Sequence, residues 1–225
     1  MFTLNQVVPW GRSFDEYRRM FALSDGDLRG RVLGCADGPA SFNAEATRRG
    51  ISILSADPLY RFDGEAIRER VTATCGQIMD QMRRNMHEYV WDDVRSLDDL
   101  GRLRMETMEA FLADYDAGKR NGRYVDEELP ALPFPDESFD LAVCSHFLFL
   151  YSEHLPEVFH RSSILELCRV AAEVRIFPLI ALGGGPSPHL PRIVDELTGI
   201  CEISIETVPY EFRRGGNQMM RVRKV

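Results

Sequence analysis

The sequence predicts an α/β protein built on a doubly wound, mostly parallel β-sheet. Three observations carry this prediction: apolar segments alternate with helix-like segments, a glycine-containing turn joins the first such pair, and an aspartate closes the second apolar segment. The chain has 225 residues, of which 44% are hydrophobic, and this is enough for one core. We therefore expect a single domain over residues 1–225.

The N-terminal half begins with a helix and continues as a strand–helix–strand unit. Ser13 is a typical N-cap, and Glu16 completes a capping box three residues later. "RVLGCA" predicts a buried strand, "SFNAEATRRG" a helix that ends at Gly50, and "ISILSA" a second strand that ends at Asp57. Residues 1–29 are expected to form a helical cover in front of the first strand.

Residues 64–122 interrupt this alternation with two amphipathic helices. Their apolar positions recur at intervals of three and four residues: Ile78, Met82, Met86 and Tyr89 in the first helix, and Met105, Met108, Leu112 and Tyr115 in the second. The block is too long for a single crossover helix, so we interpret it as a helical insertion. It is expected to act either as a lid over a small-molecule pocket or as an oligomer contact, for instance in a homodimer.

The alternation resumes after the insertion. "GRYVDEEL" predicts a short strand, "FDLAVCSHFLFLY" a strongly apolar one, "SSILELCRVAAE" a helix, "VRIFPLIAL" a strand and "IVDELTG" a short helix. The last two extended segments, "CEISIETVPY" and "NQMMRVRKV", flank a glycine-rich turn and predict an antiparallel pair.

Composition narrows the class of protein. The net charge of -8 lacks the broad positive field that nucleic acids favour, so a nucleic-acid partner is not expected. Five cysteines without a C-x-x-C pair fit a reducing compartment, and we expect a cytoplasmic protein. No apolar run has the length of a membrane helix, and neither His154 nor His160 has a histidine partner at helical spacing, so neither a membrane nor a metal site is predicted.

The turn after the first strand and the end of the second strand predict a nucleoside site. Gly34 and Gly38 lie where the first strand meets its helix, and Asp57 follows Asp37 by 57 − 37 = 20 residues. A Rossmann-type site has about this spacing between its turn and the acid that accepts hydrogen bonds from the ribose. The G-x-G-x-x-G fingerprint is absent because Ala36 replaces a glycine, which favours a nucleoside without phosphates.

Four segments together resemble the class I S-adenosylmethionine-dependent methyltransferases. They are "VLGCADGPASF", "SADPLY", "EELPALPFPDESFDLAVCSHFLF" and "ILELCRVA", and the resemblance runs from about residue 30 to the C-terminus, interrupted by the insertion. It implies a seven-stranded sheet with a reversed last hairpin and S-adenosylmethionine at the carboxyl ends of the strands. The family often has an acid where Gly34 stands and a glycine where Ala36 stands, and Asp37 could compensate for the missing acid.

The resemblance also implies a set of cofactor-binding residues. Those under the methionine and ribose are Gly34, Ala36, Asp37 and Gly38, and those along the ribose hydroxyls and the adenine are Asp57, Pro58, Leu59, Glu128 and Leu129. Ser145 and His146 would border the methyl group. Arg12 could pair with the carboxylate of the cofactor, and Trp10 or Tyr17 could cover it.

Methyl transfer is a direct displacement that depends mainly on alignment, so no catalytic residue needs to stand out. His146 is the candidate general base, and the alternative is a histidine that only packs within the apolar "CSHFLFLY". An "N-P-P-Y"-like tetrad is missing after the fourth strand, which favours a small-molecule acceptor. Two other functions stay open: a nucleic-acid or protein methyltransferase that docks through the insertion, and a non-catalytic binding protein.

Overall fold

Seven strands form one sheet in the computed structural model of the protein, which describes residues 10–225. The strands are β1 (Val32–Cys35), β2 (Ile53–Ala56), β3 (Tyr124–Val125), β4 (Phe139–Ser145), β5 (Ala171–Phe177), β6 (Cys201–Thr207) and β7 (Gln218–Lys224). Their order across the sheet is β3-β2-β1-β4-β5-β7-β6. The first five are parallel, and β7 runs antiparallel to both β5 and β6, so the predicted parallel sheet with a closing antiparallel hairpin is confirmed.

Helices cover both faces of the sheet. They are α1 (Phe14–Met20), α2 (Phe42–Arg48), α3 (Gly64–Arg84), α4 (Leu97–Arg120), α5 (Glu157–Val170) and α6 (Leu190–Leu197). Alternate residues of β4 point to opposite faces: Ala142 and Cys144 join the core under α5 and α6, whereas Leu141 and Val143 join the core under α1 and α2. This two-sided burial explains why β4 has a continuous apolar sequence instead of an alternating one.

The predicted capping box starts α1. The Ser13 hydroxyl accepts from the Glu16 backbone amide, and the Glu16 carboxylate accepts from the Ser13 amide. Tyr17 packs against Phe42 of α2 with ring centroids 4.1 Å apart, which holds α1 over the start of the sheet. Of the predicted N-terminal cover, residues 1–9 lie outside the described part of the chain.

The 64–122 block contains α3 and α4. Ile78 and Met82 are buried as their spacing predicts, whereas Met86 is 41% exposed because α3 ends at Arg84 and the phase of the helix is lost. Helix α4 packs against α2 and β3 and so occupies the crossover position between β2 and β3. Whether the block moves as a lid or contacts a second subunit stays a prediction.

The segment between α3 and α4 is attached to the loop between β6 and β7. The backbone amide of Val90 donates to the Phe212 carbonyl at 2.8 Å, and that of Arg214 donates to the Glu88 carbonyl at 3.0 Å. An ion pair joins the side chains of Arg213 and Glu88. These contacts connect the insertion to the C-terminal hairpin.

Several boundaries differ from the sequence prediction. Strand β4 ends at Ser145, whereas the apolar segment predicted a strand that continues to Tyr151, and β5 ends at Phe177 instead of Leu182. Helix α5 ends at Val170 and β5 begins at Ala171, three residues earlier than predicted. Glu173 lies within β5 although it is charged, because three arginines of β5 and β7 surround it, Arg175, Arg221 and Arg223. The strand ends before Pro178, which has no amide hydrogen to continue the ladder.

Among residues 10–225, no helix combines the length and the apolar character that crossing a membrane requires. All five cysteines are free thiols.

Candidate active site

A cavity of about 700 Å³ opens at the carboxyl ends of β1, β2 and β4. Its volume lies within the range of about 300–1,000 Å³ that is usual for small-molecule sites, and its position beside the switch point is where doubly wound sheets bind ligands. Eleven residues that the sequence analysis selected line this cavity: Arg12, Ala36, Asp37, Gly38, Asp57, Pro58, Leu59, Glu128, Leu129, Ser145 and His146. Residues far apart in the chain are thus brought together as expected.

Gly34 is the exception, and the prediction that it lies directly under the cofactor needs correction. It is buried in β1 and does not line the cavity. A Cβ atom at this position would overlap with the carboxyl oxygen Oδ2 of Asp37. Gly34 therefore leaves the room into which the Asp37 side chain folds back.

Asp37 is held by two hydroxyl donors. Tyr17 donates to Oδ1 and Ser55 donates to Oδ2, each at 2.7 Å. Burial raises the pKa of Asp37 to about 7 although these hydrogen bonds act in the opposite direction, and the neighbouring Asp57 raises it further. The backbone on either side is left-handed, with φ of 57° at Ala36 and 55° at Gly38, which turns the chain sharply from β1 towards α2.

Asp57 fixes this turn from the end of β2. Its carboxylate accepts from the Gly38 amide at 2.8 Å and from the Leu59 amide at 2.7 Å, and the Tyr60 hydroxyl donates to the Gly38 carbonyl. Burial raises the pKa of Asp57 to about 6, with a further contribution from Glu128, although the two amides lower it. Each carboxylate oxygen has two lone pairs, so Asp57 can hold the turn and still accept from a ligand hydroxyl.

Ser145 and His146 close β4 beside the cavity. The Ser145 hydroxyl lies 2.9 Å from Nδ1 of His146, and the His146 amide donates to the Phe177 carbonyl. Burial lowers the pKa of His146 well below its ordinary value, and the positive charges of Arg12 and Arg104 lower it further. The imidazole is therefore neutral at neutral pH.

A buried ion network lies next to His146, and the sequence analysis did not foresee it. Both terminal nitrogens of Arg104 donate to the Glu16 carboxylate at 2.6 Å, and the Tyr210 hydroxyl donates to the same carboxylate at 2.9 Å. Burial alone would raise the pKa of Glu16, but the charge and hydrogen bonds of Arg104 outweigh it and hold this pKa below its usual range. Glu16 was recognised only as a capping residue, and nothing in the local sequence connects it with α4.

The buried network has one more positive than negative charge, because Arg12 has no carboxylate of its own. One of its terminal nitrogens donates to the Trp10 carbonyl at 2.7 Å, but its buried Nε has no hydrogen-bond partner. Burial and the charge of Arg104 lower the pKa of Arg12, although a guanidinium stays protonated at neutral pH. Two arginines therefore face one carboxylate, that of Glu16, and a single positive charge is available to a ligand.

A second cavity of about 110 Å³ lies on the other side of Arg12. It shares Trp10, Arg12 and His146 with the first cavity. Its remaining lining is mostly apolar. It comes from α3, α4 and the segment between them, from the segment after β4, from the end of β5 and the segment after it, and from the loop between β6 and β7: Ile78, Met82, Tyr89, Leu100, Arg104, Leu150, Phe177, Pro178, Ile180, Leu182, Tyr210, Phe212, Arg213 and Gly216.

Strand order and site together define the class of protein. A seven-stranded sheet in the order β3-β2-β1-β4-β5-β7-β6, with an antiparallel β7 and a cavity at the carboxyl ends of its first strands, is the fold of the class I S-adenosylmethionine-dependent methyltransferases. The expectation that followed from the sequence motifs is thereby confirmed at the level of the fold.

Comparisons with known proteins place the chain in a family. It is 33% identical to the uncharacterized protein MJ0045 of Methanocaldococcus jannaschii over 226 aligned residues, which cover 98% of each chain, and it belongs to the same family as that protein. No protein-family model matches the sequence.

Solved structures with a similar fold include two methyltransferases. The N-methyltransferase NodS from Bradyrhizobium japonicum has a TM-score of 0.49 at 11% identity, with 94% of this chain and 96% of that chain covered. Magnesium protoporphyrin IX methyltransferase from Synechocystis with bound S-adenosylmethionine has a TM-score of 0.44 at 12% identity, with 94% and 91% covered.

Proposed function

We propose that this protein transfers a methyl group from S-adenosylmethionine to a small-molecule acceptor by direct displacement. The observation that carries the proposal is the convergence of eleven predicted residues on one cavity at the carboxyl ends of β1, β2 and β4. The free thiols of all five cysteines support a reducing compartment, and we place the activity in the cytoplasm.

The residues of the first cavity fit the parts of this cofactor. Asp57 would accept hydrogen bonds from the ribose hydroxyls while it holds the Gly38 turn. Glu128 and Leu129 would meet the adenine edge, and Arg12 would pair with the methionine carboxylate, which matches the single unbalanced charge of the buried network. The ribose hydroxyls, the adenine edge and the methionine carboxylate would thus each have a partner in the cavity.

When bound, the cofactor supplies a sulfonium methyl that passes to a lone pair of the acceptor while the electrons of the broken bond stay on sulfur. The protein has to orient the two reactants and exclude water, and orientation contributes most of the acceleration in such displacements. His146 lines both cavities, which supports the proposal that its imidazole takes the proton of an acceptor hydroxyl or thiol.

Titration calorimetry with S-adenosylmethionine and S-adenosylhomocysteine tests the proposal. We expect both to bind, and the Asp57→Ala variant to bind them about 5- to 150-fold more weakly, which corresponds to about 1–3 kcal/mol for a lost charge-assisted hydrogen bond. Asp116→Ala is the matched control, because Asp116 is exposed on α4 and lines neither cavity. If neither ligand binds at millimolar concentration, the proposed function is refuted.

A further inference from the structure

The second cavity has the dimensions and surface of a site for a compact apolar molecule. Its volume of about 110 Å³ is below that of the apolar protein cavity of about 150 Å³ that accepts benzene, so an aromatic acceptor would extend towards the first cavity, which shares Trp10, Arg12 and His146 with it. Aliphatic and aromatic side chains, among them Met82, Leu100, Leu150, Leu182 and Phe212, form most of its wall. A long or strongly hydrated acceptor would therefore leave its polar groups without partners there.

The charges around this cavity disfavour a cation. Three arginines line it, and two of them are neutralised within the protein: Arg104 by Glu16 and Arg213 by Glu88. Arg12 keeps its charge, and no aspartate or glutamate lines the second cavity among residues 10–225. A protonated amine would therefore leave water without a carboxylate to receive its charge, and this desolvation is unfavourable whether or not a cofactor carboxylate balances Arg12.

Two side chains at this wall carry hydrogen-bond donors that have no partner. The buried Trp10 Nε1 and Arg12 Nε have no hydrogen-bond partner in the protein, and both residues also line the second cavity. A buried donor without a partner is destabilising, so a ligand oxygen that reaches either group after a small side-chain shift is favoured. With Arg12 assigned to the cofactor carboxylate, the indole of Trp10 is the donor that is left for an acceptor molecule.

We propose that the second cavity is the acceptor site and that it selects a compact, mostly apolar molecule which enters uncharged and carries one hydroxyl or thiol as its nucleophile. This inference rests on the proposed function. In the transfer, a lone pair of the acceptor oxygen or sulfur would form the bond to the methyl carbon while the bond from that carbon to the cofactor sulfur breaks with its electrons kept on sulfur. The acceptor proton would pass to the imidazole of His146, which lines both cavities. Aliphatic amines, which are protonated at neutral pH, are excluded as acceptors.

Binding of three probes of similar size tests the inference: phenol, benzylamine and benzoate. Ligand-observed NMR and calorimetry are carried out at pH 7.5 with and without saturating S-adenosylhomocysteine. We expect phenol to bind at least tenfold more tightly than benzylamine under both conditions. With S-adenosylhomocysteine bound, phenol should also bind more tightly than benzoate, because the cofactor carboxylate then balances the charge of Arg12.

Variants of Leu150 locate the binding site of the probe. Leu150→Phe should abolish phenol binding and leave the affinity for S-adenosylhomocysteine unchanged, and Leu150→Glu should reverse the preference towards benzylamine. The matched controls Leu165→Phe and Leu165→Glu change a half-buried leucine of α5 that lines neither cavity, and they should bind phenol as the unmodified protein does. Should the larger side chain prevent folding, Leu150→Ala enlarges the site instead and should bind 4-propylphenol more tightly than phenol.

Each outcome separates the two proposals. Equal binding of phenol and benzylamine, or phenol binding that no Leu150 variant alters, overturns the assignment of the second cavity even if S-adenosylhomocysteine binds. Absence of phenol binding in the folded protein with S-adenosylhomocysteine bound overturns it as well. Selective phenol binding that depends on Leu150 in a protein that does not bind S-adenosylhomocysteine confirms the selectivity of the cavity and refutes the proposed methyl transfer.

Discussion

The buried network of Glu16, Arg104 and Arg12 predicts an unequal response to the removal of its members. Replacement of Glu16 by Gln leaves two buried guanidinium groups without a counter-charge. Replacement of Arg104 by Met leaves Glu16 with Arg12 as its remaining cation, so the charges stay balanced. The Glu16→Gln variant should therefore be the less stable of the two, although both lose the same bidentate ion pair.

The magnitude follows from the burial of the pair. The side chains of Arg104 and Glu16 are 2% and 8% exposed, and breaking such a buried pair by removal of one partner costs about 3–5 kcal/mol. We expect Glu16→Gln to lie at the upper end of this range. Arg104→Met should cost about 2 kcal/mol, because Glu16 keeps its hydrogen bonds from Ser13 and Tyr210 and gains Arg12 as its ion-pair partner.

Urea unfolding at pH 7, followed by circular dichroism, measures the difference. The exposed pair of Asp80 and Arg83 supplies the control, since Asp80→Asn should change the free energy of unfolding by about 0–1 kcal/mol. The lowered pKa of Glu16 adds a pH signature: the stabilisation is present above about pH 4.5 and is lost as the pH falls towards the lower folded-state pKa. Equal destabilisation by both variants, or a larger effect of Arg104→Met, would refute the charge balance inferred for Arg12.

Three further predictions concern the first cavity. Gly34→Ala should lower the free energy of unfolding by about 1–3 kcal/mol, because the new methyl group displaces the Asp37 carboxyl. Gly76→Ala, which adds a methyl group in open space on α3, should raise the free energy of unfolding by up to about 1 kcal/mol. Comparable urea midpoints for the two variants would contradict the overlap between a side chain at position 34 and Asp37. Because burial raises the pKa of Asp57 to about 6, S-adenosylhomocysteine should bind more weakly at pH 5 than at pH 8, where the carboxylate is ionised. Calorimetry should find this difference reduced in Asp57→Ala to the part that Asp37 contributes, because the pKa of Asp37, raised to about 7, lies in the same pH range. His146→Ala should bind S-adenosylhomocysteine within about twofold of the unmodified protein, and loss of cooperative unfolding in this variant would indicate a purely packing role for the histidine.

Local sequence signals were enough for the elements that position the first cavity. The capping box of α1, the Gly38 turn and the acid at the end of β2 each depend on residues close together in the chain, so their geometry follows from short-range hydrogen bonds. The start of β5 was misplaced because the charged Glu173 reads as helix in isolation, and only the arginines of the neighbouring strand make it compatible with the sheet.

The second cavity and the ion network had no such signal. Glu16 and Arg104 are 88 residues apart, and the apolar wall combines residues such as Met82, Leu150 and Leu182 from three separate segments. Their proximity depends on how α3 and α4 pack against the rest of the sheet, which no spacing within the sequence specifies. The exceptions are Trp10, Arg12 and His146, whose assignment to the site followed from the family resemblance.

Because the Asp37 side chain folds back over Gly34, substitutions at these two positions should be coupled during evolution. A side chain at the first position and a carboxyl at the second compete for one volume, so neither can be exchanged alone without loss. Homologues should consequently divide into two groups, one with a bare strand residue followed by an acid in the turn, and one with a strand acid followed by a short turn residue. Alignments that contain both acids together in many members would show that the two groups do not exist.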